Sequence, residues 1–183
     1  MSNIDKRIIN SKNAIKNSFI EILKLKDISK ITIKEICERA NVNRATFYAH
    51  YSNQYNLLEN IEDELFLNIK ENLNNYSFKF DGSNTIHILE KIFDYIKANE
   101  NICNVLLNDK GDIDFQKKLI CFIYDECFSK WVCKDSESSD YLYSFVVYGC
   151  IGIIQKWFDD GVKKSAKDLA VMTYNIINNI NKI

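Results

Sequence analysis

Thr32-Ile-Lys-Glu-Ile-Cys-Glu-Arg-Ala-Asn41-Val-Asn43-Arg-Ala-Thr-Phe-Tyr-Ala-His-Tyr51 holds two short helices and the turn between them. Thr32 and Glu35 have capping-box spacing, in which the hydroxyl and the carboxylate satisfy each other's orphan backbone donors and so start a helix. Ile33, Ile36, Cys37 and Ala40 follow at i, i+3, i+4 and i+7, giving that helix one apolar face. It stops at Asn41, since after glycine Asn best tolerates the left-handed backbone that ends a helix. Asn43 then caps a third helix, Arg44 to about Tyr51. Phe47 and Tyr51, four residues apart, share a face that anchors this helix to its support. A short helix, a tight turn and a second short helix outline a helix-turn-helix, with the second helix as the reader.

The pattern outward from this stretch is also helical. Ile15, Phe19 and Ile22 mark a first helix from about Lys6 to Leu25. Leu58, Ile61, Leu65, Ile69 and Leu73 run down a long fourth helix that ends in the Asn-rich stretch 72–75. Beyond Gly82 the spacing predicts five more helices, at about 84–99, 101–108, 114–133, 139–160 and 166–181, the last opened by a Ser165/Asp168 capping box. The 183 residues are 46% hydrophobic and 27% charged, ordinary globular values. No proline and only five glycines disfavour sandwiches and barrels, which need Gly/Pro-rich turns. The expectation is an all-α chain of about nine helices: an N-terminal three-helix domain (1–52) and a C-terminal helical bundle (53–183). The apolar stretch Tyr141–Ile154 is too short to span a membrane, and no apolar segment follows the basic pair Lys6-Arg7 as a secretory signal requires, so a cytoplasmic protein is expected. The helix at 139–160 is apolar almost all round and must be covered on several sides, for which a second subunit is one candidate.

Charge divides unevenly along the chain. Residues 1–51 carry ten Lys/Arg against five Asp/Glu, whereas the remaining 132 carry 14 against 20. A basic head on an acidic body suits one end meeting a polyanion, although a merely solvated basic face has the same composition. Six cysteines without a signal segment are not read as disulfides. Cys121, Cys127 and Cys133 are each rotated roughly 240° from the last on a helix and cannot converge on a metal. The cysteines read as small buried hydrophobes; the alternative, a redox sensor, would use Cys103 or Cys133 near helix ends.

The stretch 32–51, with the Leu-Leu pair that follows it, resembles the DNA-binding region of the tetracycline-repressor (TetR) family of bacterial regulators, whose pattern runs Thr-x-x-x-Ile-Ala-x-x-Ala-Gly-Val-Ser-x-Gly-Thr-Phe-Tyr-x-His-Phe. The segment Ser144-Phe-Val-Val-Tyr-Gly-Cys-Ile-Gly-Ile-Ile-Gln-Lys-Trp-Phe-Asp-Asp-Gly161 is similar to the C-terminal region of one subgroup. Asn41 stands at the family's turn glycine, Asn43 at its usual Ser, Ala45 at a common Gly, and Gln54 where a phosphate-contacting Lys is frequent. The resemblance implies a homodimer on a double-stranded DNA operator, released by an unknown small-molecule effector.

For DNA, Thr32 offers a hydroxyl and the amides of a helix start to phosphate. Tyr48 and His50 carry over as the family's phosphate-binding pair, against the alternatives of a packed ring and an ordinary surface histidine. Base reading falls to Arg44, Ala45 and Thr46, with Asn43 beside them. Arg44 suits a guanine O6/N7 edge, and Ala45 or the Thr46 methyl suits a thymine methyl; if Arg44 reaches phosphate instead, it supports all sequences equally. The resemblance implies a four-helix interface from the last two helices of each subunit, where Phe145, Gly149, Gly152, Ile153 and Trp157 face Val171, Tyr174 and Ile177; packing within one chain is the alternative. His87, Phe93, Phe122, Glu126 and Tyr148 are candidate effector contacts, with Phe115, Tyr124 and Tyr143 as further lining. Only two histidines, no phosphate loop, no metal-spaced set and no nucleophile elbow leave enzyme chemistry little to work with, and no cofactor is expected. The rival reading is an adaptor of the same fold, a partner-dependent coactivator, for which Gln54 is the sequence hint.

Overall fold

The computed structural model describes residues 3–74, 82–108, 113–123 and 138–180. Among them are nine α-helices and no strand: α1 (Asn3–Leu23), α2 (Ile33–Ala40), α3 (Arg44–Tyr48), α4 (Gln54–Asn74), α5 (Gly82–Ala98), α6 (Glu100–Leu107), α7 (Ile113–Ile123), α8 (Ser138–Asp159) and α9 (Ala166–Ile180), with a 3-10 turn at Ile28–Lys30 between α1 and α2. The fold is all-α. The chain divides into two compact units, Met1–Leu67 and Asn68–Ile183, the division falling within α4.

In the first unit, the stripe Ile15, Phe19 and Ile22 of α1 is buried, and α2 packs against α1 through Ile36 and Cys37. Ile31, at the end of the 3-10 turn, joins this core at 2% exposure, which the sequence spacing did not anticipate. Leu57, Leu58, Ile61 and Leu65 complete it from α4. Removing such side chains from water contributes about 1.5–3 kcal/mol each, so a few residues hold this small unit together.

In the second unit α9 packs along α5, where Ile88, Phe93 and Ile96 are buried, as are Leu169 and Ala170 on α9. Helix α6 is buried through Ile102, Cys103, Leu106 and Leu107. Its last carbonyls, which lack helical partners, are taken by neighbouring helices. Gln155 Nε2 on α8 donates to Leu107 O at 2.6 Å, and Gln116 Nε2 on α7 donates to Leu106 O at 3.2 Å and Asn108 O at 3.1 Å. Helix α8 ends in a Schellman motif, Gly161 N donating to Phe158 O and Val162 N to Trp157 O. Ser165 caps α9, accepting from Asp168 N at 3.1 Å while its hydroxyl donates to Asp168 Oδ2 at 2.7 Å.

Cys103 is 1% exposed, and burial pushes its thiol up to about 12. That corrects the redox-sensor alternative at this position, since a sensor needs an accessible thiolate. Cys133, the other candidate, lies outside the described residues.

Candidate nucleic-acid interface

The site is built from local hydrogen bonds. Glu35 N donates to Thr32 Oγ1 at 3.3 Å and Thr32 N donates to Glu35 Oε2 at 3.0 Å, which is the reciprocal capping box expected. The Thr32 hydroxyl also donates to Glu35 Oε2 at 2.8 Å, and Lys26 Nζ donates to Glu35 Oε1. Lys26, followed by Thr32's N–H and hydroxyl, holds the Glu35 carboxyl down at about 2. The Thr32 hydroxyl hydrogen is therefore engaged at home, and what Thr32 offers a phosphate is mainly its place at the positive start of the eight-residue α2.

Helix α2 ends as Asn41 enters the left-handed region at φ 52 and ψ 45, with Asn41 N donating to Glu38 O and Val42 N to Cys37 O. Two residues later Asn43 Oδ1 accepts Thr46 N at 2.7 Å, starting α3. Helix α3 is shorter than the sequence predicts, Arg44–Tyr48 rather than reaching Tyr51. The chain turns at Ala49–His50, where His50 N and Tyr51 N both donate to Phe47 O at 2.9 Å.

This brief helix sorts its side chains sharply. Phe47 is fully buried and Tyr51 is 4% exposed, their ring centroids 5.7 Å apart, while Tyr48 stands edge-on to Phe47 and is 57% exposed. Burial raises the Tyr51 phenol above its ordinary pKa, as expected for a packed ring. Asn43, Arg44, Ala45 and Tyr48 are exposed together, with Thr46 and His50 half-buried beside them.

Charge is sorted as well. Five cations of the N-terminal unit pair with acids: Lys16 with Glu64, Lys24 with Glu21, Lys26 with Glu35, Lys30 with Asp27 and Lys34 with Glu38. Arg44 enters no ion pair among the described residues, so its guanidinium is available at the start of α3. The sequence restarts the chain at Ser52-Asn53, and at this start of α4 Asn53 Oδ1 accepts Asn56 N at 2.9 Å and Asn56 Oδ1 accepts Ser52 N at 3.3 Å, bonds akin to a capping box that the sequence spacing did not anticipate. Tyr55 in that first turn is 52% exposed.

Residues 20–61 match the family described as bacterial regulatory proteins, tetR family, and residues 83–179 match a transcriptional regulator C-terminal region of the same family. The chain belongs to the TetR family. It is a transcriptional regulator with a DNA-binding helix-turn-helix. An uncharacterized HTH-type transcriptional regulator of Bacillus subtilis (strain 168), YxbF, is 40% identical over 57 residues, spanning 31% of this chain and 15% of that relative's length. A TetR transcriptional regulator from Streptococcus agalactiae 2603V shares the fold at a TM-score of 0.69 and 24% identity, covering 94% of this chain and 96% of that one. The fatty acid degradation regulator FadR from Bacillus halodurans shares it at 0.65 and 10% identity, covering 91% and 94%.

In the TetR-type C-terminal unit, the structure redistributes the expected effector and interface residues. Phe93 is 3% exposed and meets Trp157 edge to face. Trp157, expected at a subunit interface, is 2% exposed within its own chain, and its indole Nε1 donates to Lys164 O at 3.1 Å. Tyr148, expected inside, is 61% exposed, as is Phe145, so both lie on the outer side of α8. His87 is also on the surface, its Nδ1 3.9 Å from Glu90. Gly149 and Gly152 are exposed, Ile153 and Tyr174 half-buried, and Val171 37% exposed. Phe115 is buried. The Phe122 and Tyr143 side chains, together with Tyr124, Glu126, Cys127 and Cys133, lie outside the described residues. Among the described residues no helix is long and apolar enough to cross a membrane, and no cluster of His, Cys, Asp and Glu could hold a metal ion.

Proposed function

We propose that this protein is a cytoplasmic homodimeric repressor that grips an operator half-site with each helix-turn-helix and lets go when a small molecule binds the C-terminal unit. The observation that carries the DNA reading is the sorting of α3: Phe47 and Tyr51 are locked inside while Asn43, Arg44, Ala45 and Tyr48 stand exposed on one short, capped helix. Phosphate contacts at Thr32, Tyr48 and His50 would supply most of the affinity, and base contacts at the start of α3 the selectivity. One α3 covers only a few base pairs, which calls for paired half-sites and a dimer.

Helix α8 supports that dimer. Tyr141, Phe145 and Tyr148 are 77%, 61% and 61% exposed, and a Cβ built on Gly149 or Gly152 would meet nothing within 4 Å. A glycine inside a helix costs roughly 1 kcal/mol relative to alanine, and the subunit itself gains no close contact from either one. A helix of a second subunit crossing there would use that room, reaching a groove of about 460 Å³ between α8 and α9 floored by Ile153, Leu169 and Met172.

The test is a fluorescence-anisotropy titration against DNA from upstream of the protein's own gene, with scrambled competitor, at two salt concentrations. The expected result is tight, competitor-resistant, salt-sensitive binding, abolished by Arg44→Ala and weakened by Tyr48→Phe. The same assay then screens small molecules for release. Binding that appears only with a protein partner present would favour the adaptor reading, and none at low salt would overturn DNA reading altogether.

A further inference from the structure

We infer that Asn43 is a specificity-determining residue that reads the operator only as a hydrogen-bond donor, so that it rejects cytosine, which has no acceptor on its major-groove edge, and cannot make the two-bond contact that singles out adenine. The inference rests on the DNA-reading function proposed above and deepens it. Its basis is the double use of one oxygen: Asn43 Oδ1 accepts Thr46 N at 2.7 Å and the Thr46 hydroxyl at 2.9 Å. The Thr46 N–H can only donate, so the atom facing it is the oxygen and the amide cannot be turned over. Both lone pairs of Oδ1 are then occupied.

An Asn side chain that recognises adenine needs both its atoms, Nδ2 donating to N7 and Oδ1 accepting from the N6 amine. Here the second is spent on starting α3, and releasing it would uncap the helix that carries Arg44 and Tyr48. The exposed Asn43 therefore presents Nδ2 alone. A lone donor in the major groove matches guanine O6 or N7, thymine O4 or adenine N7, whereas cytosine presents only its amine there and offers a clash of donors. The same pair of bonds turns the Thr46 hydroxyl toward the cap and its methyl away, and Ala45 next to it adds another methyl. Such a surface tolerates a thymine methyl and lacks the carboxylate or free amide oxygen that reads an amine.

Selection from a randomised duplex library with wild type, Asn43→Asp and Asn43→Ser tests this. Both variants keep an oxygen at the N-cap, so the helix should survive, and circular dichroism checks that it does. Wild type should disfavour cytosine at one position per half-site, roughly fivefold to tenfold against the bases that carry an acceptor there. Asn43→Asp, with an acceptor in place of Nδ2, should move that position to cytosine or adenine and leave the Arg44-dependent position unchanged, and Asn43→Ser should flatten it to within about twofold. Cytosine at that position in wild type overturns the inference, and so does a uniform loss of affinity with unchanged base preferences, which would mark a phosphate contact. No enrichment of any sequence by wild type would overturn the DNA-reading function itself.

Discussion

Phe93 on α5 and Trp157 on α8 meet edge to face, ring centroids 5.8 Å apart and planes at 77°. Trp157 also stacks near Phe158 and donates to Lys164 O, so one indole joins the core to the turn that leads into α9. Edge-to-face pairs add about 0.5–1.5 kcal/mol beyond burial. Trp157→Phe should cost about 1 kcal/mol for the lost hydrogen bond and Trp157→Ala about 3–5 kcal/mol. Urea unfolding measures both, and an Ala variant within 1 kcal/mol of wild type would contradict this account of the core.

Glu35 should make stability fall on acidification. Its folded-state carboxyl sits at about 2, below the ordinary 4.5, because Lys26 and Thr32 bond its charged form. The contribution is fully present above about pH 4.5 and is lost as pH falls toward 2, where the folded form is protonated too. Glu35→Gln should therefore show a shallower decline than wild type between pH 4.5 and 2 in denaturant midpoints. Parallel curves would show that the pairing does not form in solution.

Val162 lies at φ 55, directly after Gly161 at φ 71. A β-branched side chain in the left-handed region is strained by roughly 1–2 kcal/mol, and Asn, as at Asn41, tolerates it better. Val162→Asn should raise stability by about 1 kcal/mol, whereas Asn41→Val should lower it by a similar amount. Equal and opposite shifts in unfolding midpoint are the expected signature.

Cys103 should resist alkylation. With its thiol pushed up to about 12 by burial, iodoacetamide at pH 8 should leave it unmodified in the native protein and label it on unfolding. Mass spectrometry of digested protein reads this directly, and rapid native labelling would place the residue at an accessible site.

The features legible in the sequence are those set by a few neighbouring residues. Thr32 with Glu35, Asn41, Asn43 and Ser165 with Asp168 act through hydrogen bonds spanning three or four residues, and each adopts the cap or turn its type favours. The stripes Ile15/Phe19/Ile22 and Phe47/Tyr51 were equally plain, because polar residues flank them and only one face could turn inward.

Helix α8 was different. Apolar nearly all round, it gave periodicity nothing to choose between its faces, and only packing against α5 and α6 decided that Trp157 goes in while Phe145 and Tyr148 stay out. The same holds for charge: composition showed a basic N-terminal unit, but ion pairs such as Lys26 with Glu35 and Lys16 with Glu64, 48 residues apart, decide which cations remain for a partner. The sequence by itself determined where helices start and stop and which motif they compose, since those energies are local. Which aromatic rings and charges face outward was left to the tertiary structure, because that depends on what lies opposite them in space.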